Sequence, residues 1–435
     1  MVGHLKLSLM ILASAFVSSC KVQNTIVTQL PQVKPTAHVI ESAATDMFSV
    51  ETRWMSQPID HAHPEGETFE QQIILLKPRG AQNDAPVFFM LGNETDSTEE
   101  KLIALFKNYG SPKDFIFVTA DHRGYGQSIT EGDQSVPEYV KIDQVLADYK
   151  NLIDAYRSEF TGPWIGAGYS YGGSLVIDFA SRYPGTVDVV LSSSAVITYD
   201  FAFSEYGEHA EELLGKTIAP HLQRHMSALY PAQPYGKAWK SQSDVMALSV
   251  GLSQMQAMQP LRPFISEIAP LPTTDFLKAL DDNLPSEVKS QMDAWSKMRV
   301  PQVPSSEKAR TGAYNWYTWK YQQCTEVGTF FIGGPFPFSV QDHVDDCKAT
   351  FGQEPAYLNA APWNVSEKLK KVTDPIVVVS GGRDPWGRVG VQPDHTYTNI
   401  DFMFYPDGLH CPDRYEAKPG REVFDRLRSH LSNKL

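Results

Sequence analysis

Apolar residues in this chain gather in short blocks. Gln72–Leu76, Pro86–Leu91, Phe115–Thr119, Trp164–Ala167, Val187–Leu191 and Ile376–Ser380 are apolar runs bounded by polar turns, the pattern of strands buried on both faces. Between two of them Ile142, Val145, Leu146, Tyr149, Leu152, Ile153, Tyr156 and Phe160 recur at three- and four-residue steps, which predicts an amphipathic helix packed on a sheet. Strand and helix alternate, so the sheet is expected to be mostly parallel. From about Tyr199 to Trp363 strand-like runs give way to helical spacing rich in Met, Gln and Ala, as in Asp244–Met258 and Thr274–Met298. The strand rhythm resumes at Ile376, Phe402–Tyr405 reads as a final strand, and Glu422–Leu431 reads as a closing helix. The order predicts an α/β core, residues 46–198 and 366–435, split by a helical cap at 199–365.

The amino-terminal end follows a different pattern. A lysine at position 6 precedes an apolar run from Leu7 to Val17, then Ser18-Ser19-Cys20, so residues 1–20 read as an export signal. The run is shorter than the ~20 residues a membrane span needs. Val17-Ser18-Ser19-Cys20 resembles the lipobox of bacterial lipoproteins, which implies lipidation at Cys20 and a protein held at the cell envelope, periplasmic or surface-facing. An ordinary secretory signal is the alternative. Residues 21–45 are polar and aperiodic and are expected to form a flexible tether. Cys324, Cys347 and Cys411 remain, and an odd number in an exported chain implies one disulfide and one free thiol, with the pairing open from spacing alone. With 42% apolar and 20% charged residues the body is an ordinary globular one. Its net charge of -13 and its lack of a basic cluster argue against nucleic-acid binding.

The chemistry centres on Gly168-Tyr169-Ser170-Tyr171-Gly172-Gly173, which follows the apolar Trp164–Ala167 and precedes the helical-looking Ser174–Arg182. Strand, tight turn and helix around G-x-S-x-G make a nucleophile elbow, in which small residues at 168 and 172 let strand and helix approach. A serine hydroxyl needs a general base, and the base needs a carboxylate to fix its tautomer. In the α/β-hydrolase fold these follow in the order serine, acid, histidine. Asp384, just beyond the strand Ile376–Ser380, is the expected acid, and His410, in the loop after Phe402–Tyr405, the expected base. His395 comes early for that role and His430 lies in the terminal helix, where a solvated position is expected. The oxyanion donors expected are the backbone of Tyr171 and the Gly92-Asn93-Glu94 loop, with Asn93 as its donor. Asp121–Ser128 is read as a structural loop and His122 is left out of the triad; His221 and His225 are read as a solvated helix face rather than a metal pair.

Several segments together resemble the serine peptidase family of lysosomal Pro-Xaa carboxypeptidase and dipeptidyl peptidase II. Trp54–His61 with Thr68-Phe69-Glu70-Gln71, Gly92-Asn93-Glu94, Asp121–Gly126, Ser170–Gly173, Tyr321–Glu326, Asp384-Pro385-Trp386 and Gly408-Leu409-His410 are similar to its motifs. Tyr169 and Val196 depart from it where glycine and proline are usual. The resemblance implies an α/β-hydrolase fold with a mostly parallel sheet, a helical cap inserted before the acid-bearing strand, a triad of Ser170, Asp384 and His410, and a Cys324–Cys347 disulfide that leaves Cys411 free. It implies an exported serine exopeptidase that cleaves short peptides beside proline through an acyl-enzyme. A desolvated peptide terminus needs an opposite charge: Glu94 could anchor an amine and Lys320 a carboxylate, so dipeptidyl or tripeptidyl aminopeptidase and Pro-Xaa carboxypeptidase are both open. The alternatives are an esterase or lipase of the same fold and a catalytically inactive binding protein. No metal or organic cofactor is expected. The expected partners are short proline-containing peptides, and a homodimer is left open.

Overall fold

The computed structural model describes residues 40–42, 47–129, 138–229, 237–286, 288–290, 312–359, 363–393 and 397–432. The leader, Cys20, nearly all of the tether and His395 lie outside them. Nine strands form one sheet in the order β1-β2-β3-β5-β4-β6-β7-β10-β11: β1 Ile40–Ser42, β2 Phe48–Pro58, β3 Thr68–Pro78, β4 Val87–Leu91, β5 Ile116–Ala120, β6 Trp164–Tyr169, β7 Val189–Ser193, β10 Ile376–Gly381 and β11 Ile400–Tyr405. The first three pair antiparallel, and every pair from β5 to β11 is parallel. This order, with crossover helices on both faces, is the α/β-hydrolase fold. Ile40–Ser42, placed in the tether by the sequence pattern, pairs with Val50–Thr52.

Alternation along the strands builds two apolar layers. Ile73, Leu75, Phe89 and Val118 face α2 (Ile142–Tyr156) and α3 (Tyr171–Arg182). Ile74, Leu76, Phe88 and Phe117 face α1 (Glu99–Asn108) and the terminal helix Ala417–Ser432. Each buried Leu, Ile or Phe stabilises the fold by about 1.5–3 kcal/mol, so the two layers make the sheet a rigid platform. Register brings its carboxyl edge into line: Tyr169 pairs with Ser193 and Val379 also pairs with Ser193. The loops after β6, β7, β10 and β11 therefore leave from one rim.

Between β7 and β10 the chain is mostly helical: α4 Ser204–Leu214, α5 Ala219–Ala228, α6 Lys237–Gln254, α7 Arg262–Ile268 and α8 Thr273–Asn283, followed by the helices Gly312–Gln322 and Val340–Phe351. A two-residue parallel pair, β8 Ala202–Phe203 with β9 Phe330–Phe331, joins the two ends of this region. The helix expected over Thr274–Met298 is interrupted: α8 stops at Asn283 and Leu284 is extended (ψ 140°), as a residue before proline must be, here Pro285. Among the described residues no helix is long and apolar enough to cross a membrane.

Candidate active site

β6 ends at Tyr169 and α3 begins at Tyr171, leaving Ser170 at the corner with φ 55° and ψ −124°. Such a conformation costs about 1–3 kcal/mol and persists where the surroundings enforce it. The turn is so tight that a Cβ on Gly168 would stand 1.9 Å from the Gly172 carbonyl oxygen. At Gly172 a Cβ would meet Asn93 Cβ and the Leu91 carbonyl oxygen at 3.5 Å, an ordinary contact, so of the two glycines it is Gly168 at which the close approach excludes a side chain.

Asp384 follows β10 and His410 follows β11, on neighbouring strands. Asp384 is 1% exposed; its Oδ1 accepts the Trp386 N–H at 3.1 Å and its Oδ2 bonds His410 Nδ1 at 2.9 Å. Burial pulls the imidazole pKa down, but the Asp384 charge, the neighbouring Cys411 and the hydrogen bond to Asp384 together outweigh it and hold the pKa well above the ordinary histidine value. With Nδ1–H committed to Asp384, Nε2 is the free base. The His410 N–H donates to the carbonyl of Gln254 at 3.3 Å, so the last residue of α6 in the cap touches the histidine's own backbone.

Tyr171 is the first residue of α3, where an N–H has no acceptor within the helix. Asn93 holds a local turn, its Oδ1 accepting from Thr95 N at 3.1 Å and Thr95 Oγ1 at 2.9 Å. The Tyr171 ring is pinned by Gln322, whose Nε2 donates to its hydroxyl at 3.1 Å, by His122 Nε2 at 3.3 Å, and by the rings of Trp319 and Trp363 at 5.0 and 5.8 Å. Sequence reasoning missed Gln322, Trp319 and Trp363; the only available signal was that Gln322 lies in the Tyr-Gln-x-Cys-Thr-Glu segment. Burial lowers the His122 pKa to about 4, so His122 is a neutral partner of Tyr171.

The two candidate terminus anchors differ sharply. Glu94 has a buried Oε2 with no hydrogen-bond partner among the described residues. Burial raises its pKa, opposed by its own backbone N–H and by His410, Arg414 and Lys101. Lys320 instead is paired with Asp346 at 2.6 Å, next to the disulfide between Cys324 and Cys347 (Cα–Cα 5.8 Å); Cys411 is the free, buried thiol. His225 is not solvated as expected. It is fully buried, bonded to Thr273 Oγ1 at 3.0 Å and the Ala269 carbonyl at 2.9 Å, because α5 packs against α8 through Phe276. His430 pairs with Asp401 at 3.0 Å, and no metal cluster occurs among the described residues.

A strained serine at an elbow, with an acid–histidine pair on the same rim of an α/β-hydrolase sheet, defines a serine hydrolase. Residues 57–229 match the family model described as Serine carboxypeptidase S28, and the chain is a serine-type peptidase, which bears out the resemblance read from its motifs. It is similar to the Lysosomal Pro-X carboxypeptidase of Bos taurus, 24% identical with 88% of this chain and 86% of that one covered. It is likewise similar to the Thymus-specific serine protease of Mus musculus, 23% identical over 88% and 86%. Among solved structures, a Proline iminopeptidase of Mycobacterium smegmatis matches with a TM-score of 0.43 and 14% identity, over 88% of this chain and all of that one.

Proposed function

We propose that the protein is an exported serine exopeptidase that cleaves short peptides beside proline through an acyl-enzyme. Ser170 attacks the scissile carbonyl while His410 Nε2 takes its proton, and Asp384 orients His410 and stabilises the imidazolium. The backbone N–H groups of Tyr171 and Asn93 receive the oxyanion. His410 then returns the proton to the leaving amine, and water repeats the sequence on the acyl-serine. The observation that carries this reading is the His410–Asp384 bond at 2.9 Å on the same rim of the sheet as a serine at φ 55°.

The proline preference is supported by the similarity to Pro-X carboxypeptidases and by Trp386, two residues after Asp384. This ring is part-exposed and backed by Tyr206 at 4.5 Å and Phe331 at 5.6 Å, an apolar face suited to a pyrrolidine ring. Of the two anchors, Lys320 is engaged with Asp346 while Glu94 keeps an unbonded oxygen, which favours capture of a peptide amine and cleavage from the amino end. The disulfide supports an oxidising compartment, and Cys20 is the lipidation site in this reading, checked by mass spectrometry of the mature amino terminus.

The test is hydrolysis of Xaa-Pro-reporter, Xaa-Xaa-Pro-reporter and blocked Xaa-Pro-Xaa peptides, with Ser170→Ala as control. Release from the first or second member that disappears in the variant is the expected result, and release only from the blocked peptide reverses the direction. No Ser170-dependent release from any of them refutes the reading.

A further inference from the structure

Three residues other than glycine adopt left-handed backbone where the nucleophile and base loops meet: Ser170 (φ 55°), Ser194 (φ 48°) and Cys411 (φ 53°). The end of β7 connects them. The Ser170 N–H donates to the Ser193 carbonyl at 2.9 Å, and the Cys411 N–H, directly after His410, donates to Ser194 Oγ at 2.9 Å. The Ser192 hydroxyl donates to the Gly173 carbonyl in the first turn of α3 at 3.1 Å. The Ser193 hydroxyl donates to Asp413 Oδ1 at 2.5 Å. The other oxygen of Asp413 accepts the Tyr109 hydroxyl at 3.0 Å, and the Tyr109 oxygen is 2.5 Å from the hydroxyl of Tyr169, the residue before Ser170.

These bonds form a closed circuit. It runs from the elbow through β7 to Asp413 in the base loop, then through Tyr109 on the C-terminal end of α1 and Tyr169 back to the elbow. Donors and acceptors match in one direction: an ionised Asp413 accepts from Ser193 and Tyr109, and Tyr109, having donated, accepts from Tyr169. Ser192, Ser193, Tyr109, Tyr169 and Asp413 are all buried. A fully satisfied buried network adds a unique geometry to what apolar packing already supplies in stability, and nucleophile and base are the pair whose separation must be unique.

We propose that Asp413 and the serines at 192–194 are positioning residues that lock the His410 loop to the Ser170 elbow, so that β7 sets the distance between nucleophile and base. The inference rests on Ser170 and His410 having the roles given above. Buried behind the reacting groups, these residues act through the backbone of Ser170, His410 and Cys411.

The experiment compares Ser193→Ala, Ser194→Ala and Asp413→Asn with the wild type by thermal midpoint, by kcat and KM for a cleaved peptide, and by the rate at which a fluorophosphonate labels Ser170. A loose nucleophile–base distance lowers kcat and the labelling rate together by about ten- to a hundredfold, with KM within about twofold. Ser193→Thr, which keeps the hydroxyl, recovers most of the loss. Folded serine variants with unchanged kcat and labelling overturn the proposal, as does a loss seen only near the thermal midpoint. Asp413→Asn is the variant most exposed to misfolding, and the two serine variants decide the matter without it. Labelling needs no peptide, so a wild type that is labelled but cleaves no proline peptide fails the substrate reading alone, and the labelling rates then test the circuit. A wild type that is not labelled overturns both.

Discussion

Asp384→Asn exchanges a buried carboxylate for an amide of the same shape, and the two hydrogen bonds of Asp384 determine how that amide sits. To keep the Trp386 N–H bond (3.1 Å), the asparagine must turn its carbonyl oxygen that way, which aims its NH2 at His410 Nδ1. The imidazole then carries its proton on Nε2, the nitrogen that must accept one from Ser170. The opposite amide orientation sets NH2 against the Trp386 N–H, leaving buried donors unmet at about 1–3 kcal/mol each. The lost carboxylate–imidazolium attraction adds about 4 kcal/mol at ~4 Å and an effective dielectric of ~20. Together these predict a kcat lower by about 10³–10⁴, the scale of the same change in other serine hydrolases. The assay is kcat for a Ser170-dependent peptide from pH 5 to 9. Asp384 is the main influence holding the His410 pKa up against burial, so in the variant the neutral imidazole persists to lower pH and the acid limb of the residual activity moves down. A loss smaller than about tenfold, or an acid limb that moves up, refutes the assignment of Asp384 as the acid.

Three further changes test other parts of the structure. Lys320→Ala breaks an ion pair whose two side chains are 8% and 23% exposed, so it is expected to cost about 2 kcal/mol of stability without changing which peptide end is recognised. A switch of terminus would restore Lys320 as an anchor. Cys347→Ser opens a bridge with a sequence separation of 23 and should lower stability by about 3 kcal/mol, read by denaturant unfolding. Burial raises the Glu326 pKa to about 7, above its unfolded value, so the folded chain keeps a proton that the unfolded one releases. Stability from this group therefore rises as pH falls through 7 toward 4.5, and melting at pH 8 and 5.5 should show Glu326→Gln gaining less than the wild type. Equal gains contradict the burial account.

The catalytic rim was legible in the sequence because its strands are runs of Val, Ile and Phe that end at glycine or aspartate, and the chemistry sits at those ends. What escaped was polar and buried. β2 went unread because its inward positions include Gln57, fully buried and bonded to Gln71 at 2.9 Å and to the Asp148 carbonyl at 3.0 Å; a buried glutamine looks like a surface residue in a pattern of hydropathy. For the same reason the strand expected at Val187–Leu191 lies at Val189–Ser193: its last serines read as loop, yet Ser192 pairs with Gly168 and Val378, and Ser193 with Tyr169 and Val379. Asp413, after a proline in a polar stretch, gave no sign of lying beneath the elbow. Its significance depends on Tyr109, hundreds of residues earlier, a proximity that only the folded sheet creates.

The bond from the His410 amide to the Gln254 carbonyl gives the helical insertion a second identity. A roof that only narrowed the entrance could be exchanged between relatives to change what they digest, leaving turnover untouched. Here the roof also forms part of the wall behind the base, so selectivity and speed share a mechanical joint. Any change in α6 that moves the Gln254 carbonyl is thereby felt at the backbone of the histidine, so the insertion and the catalytic loop are mechanically coupled at this bond.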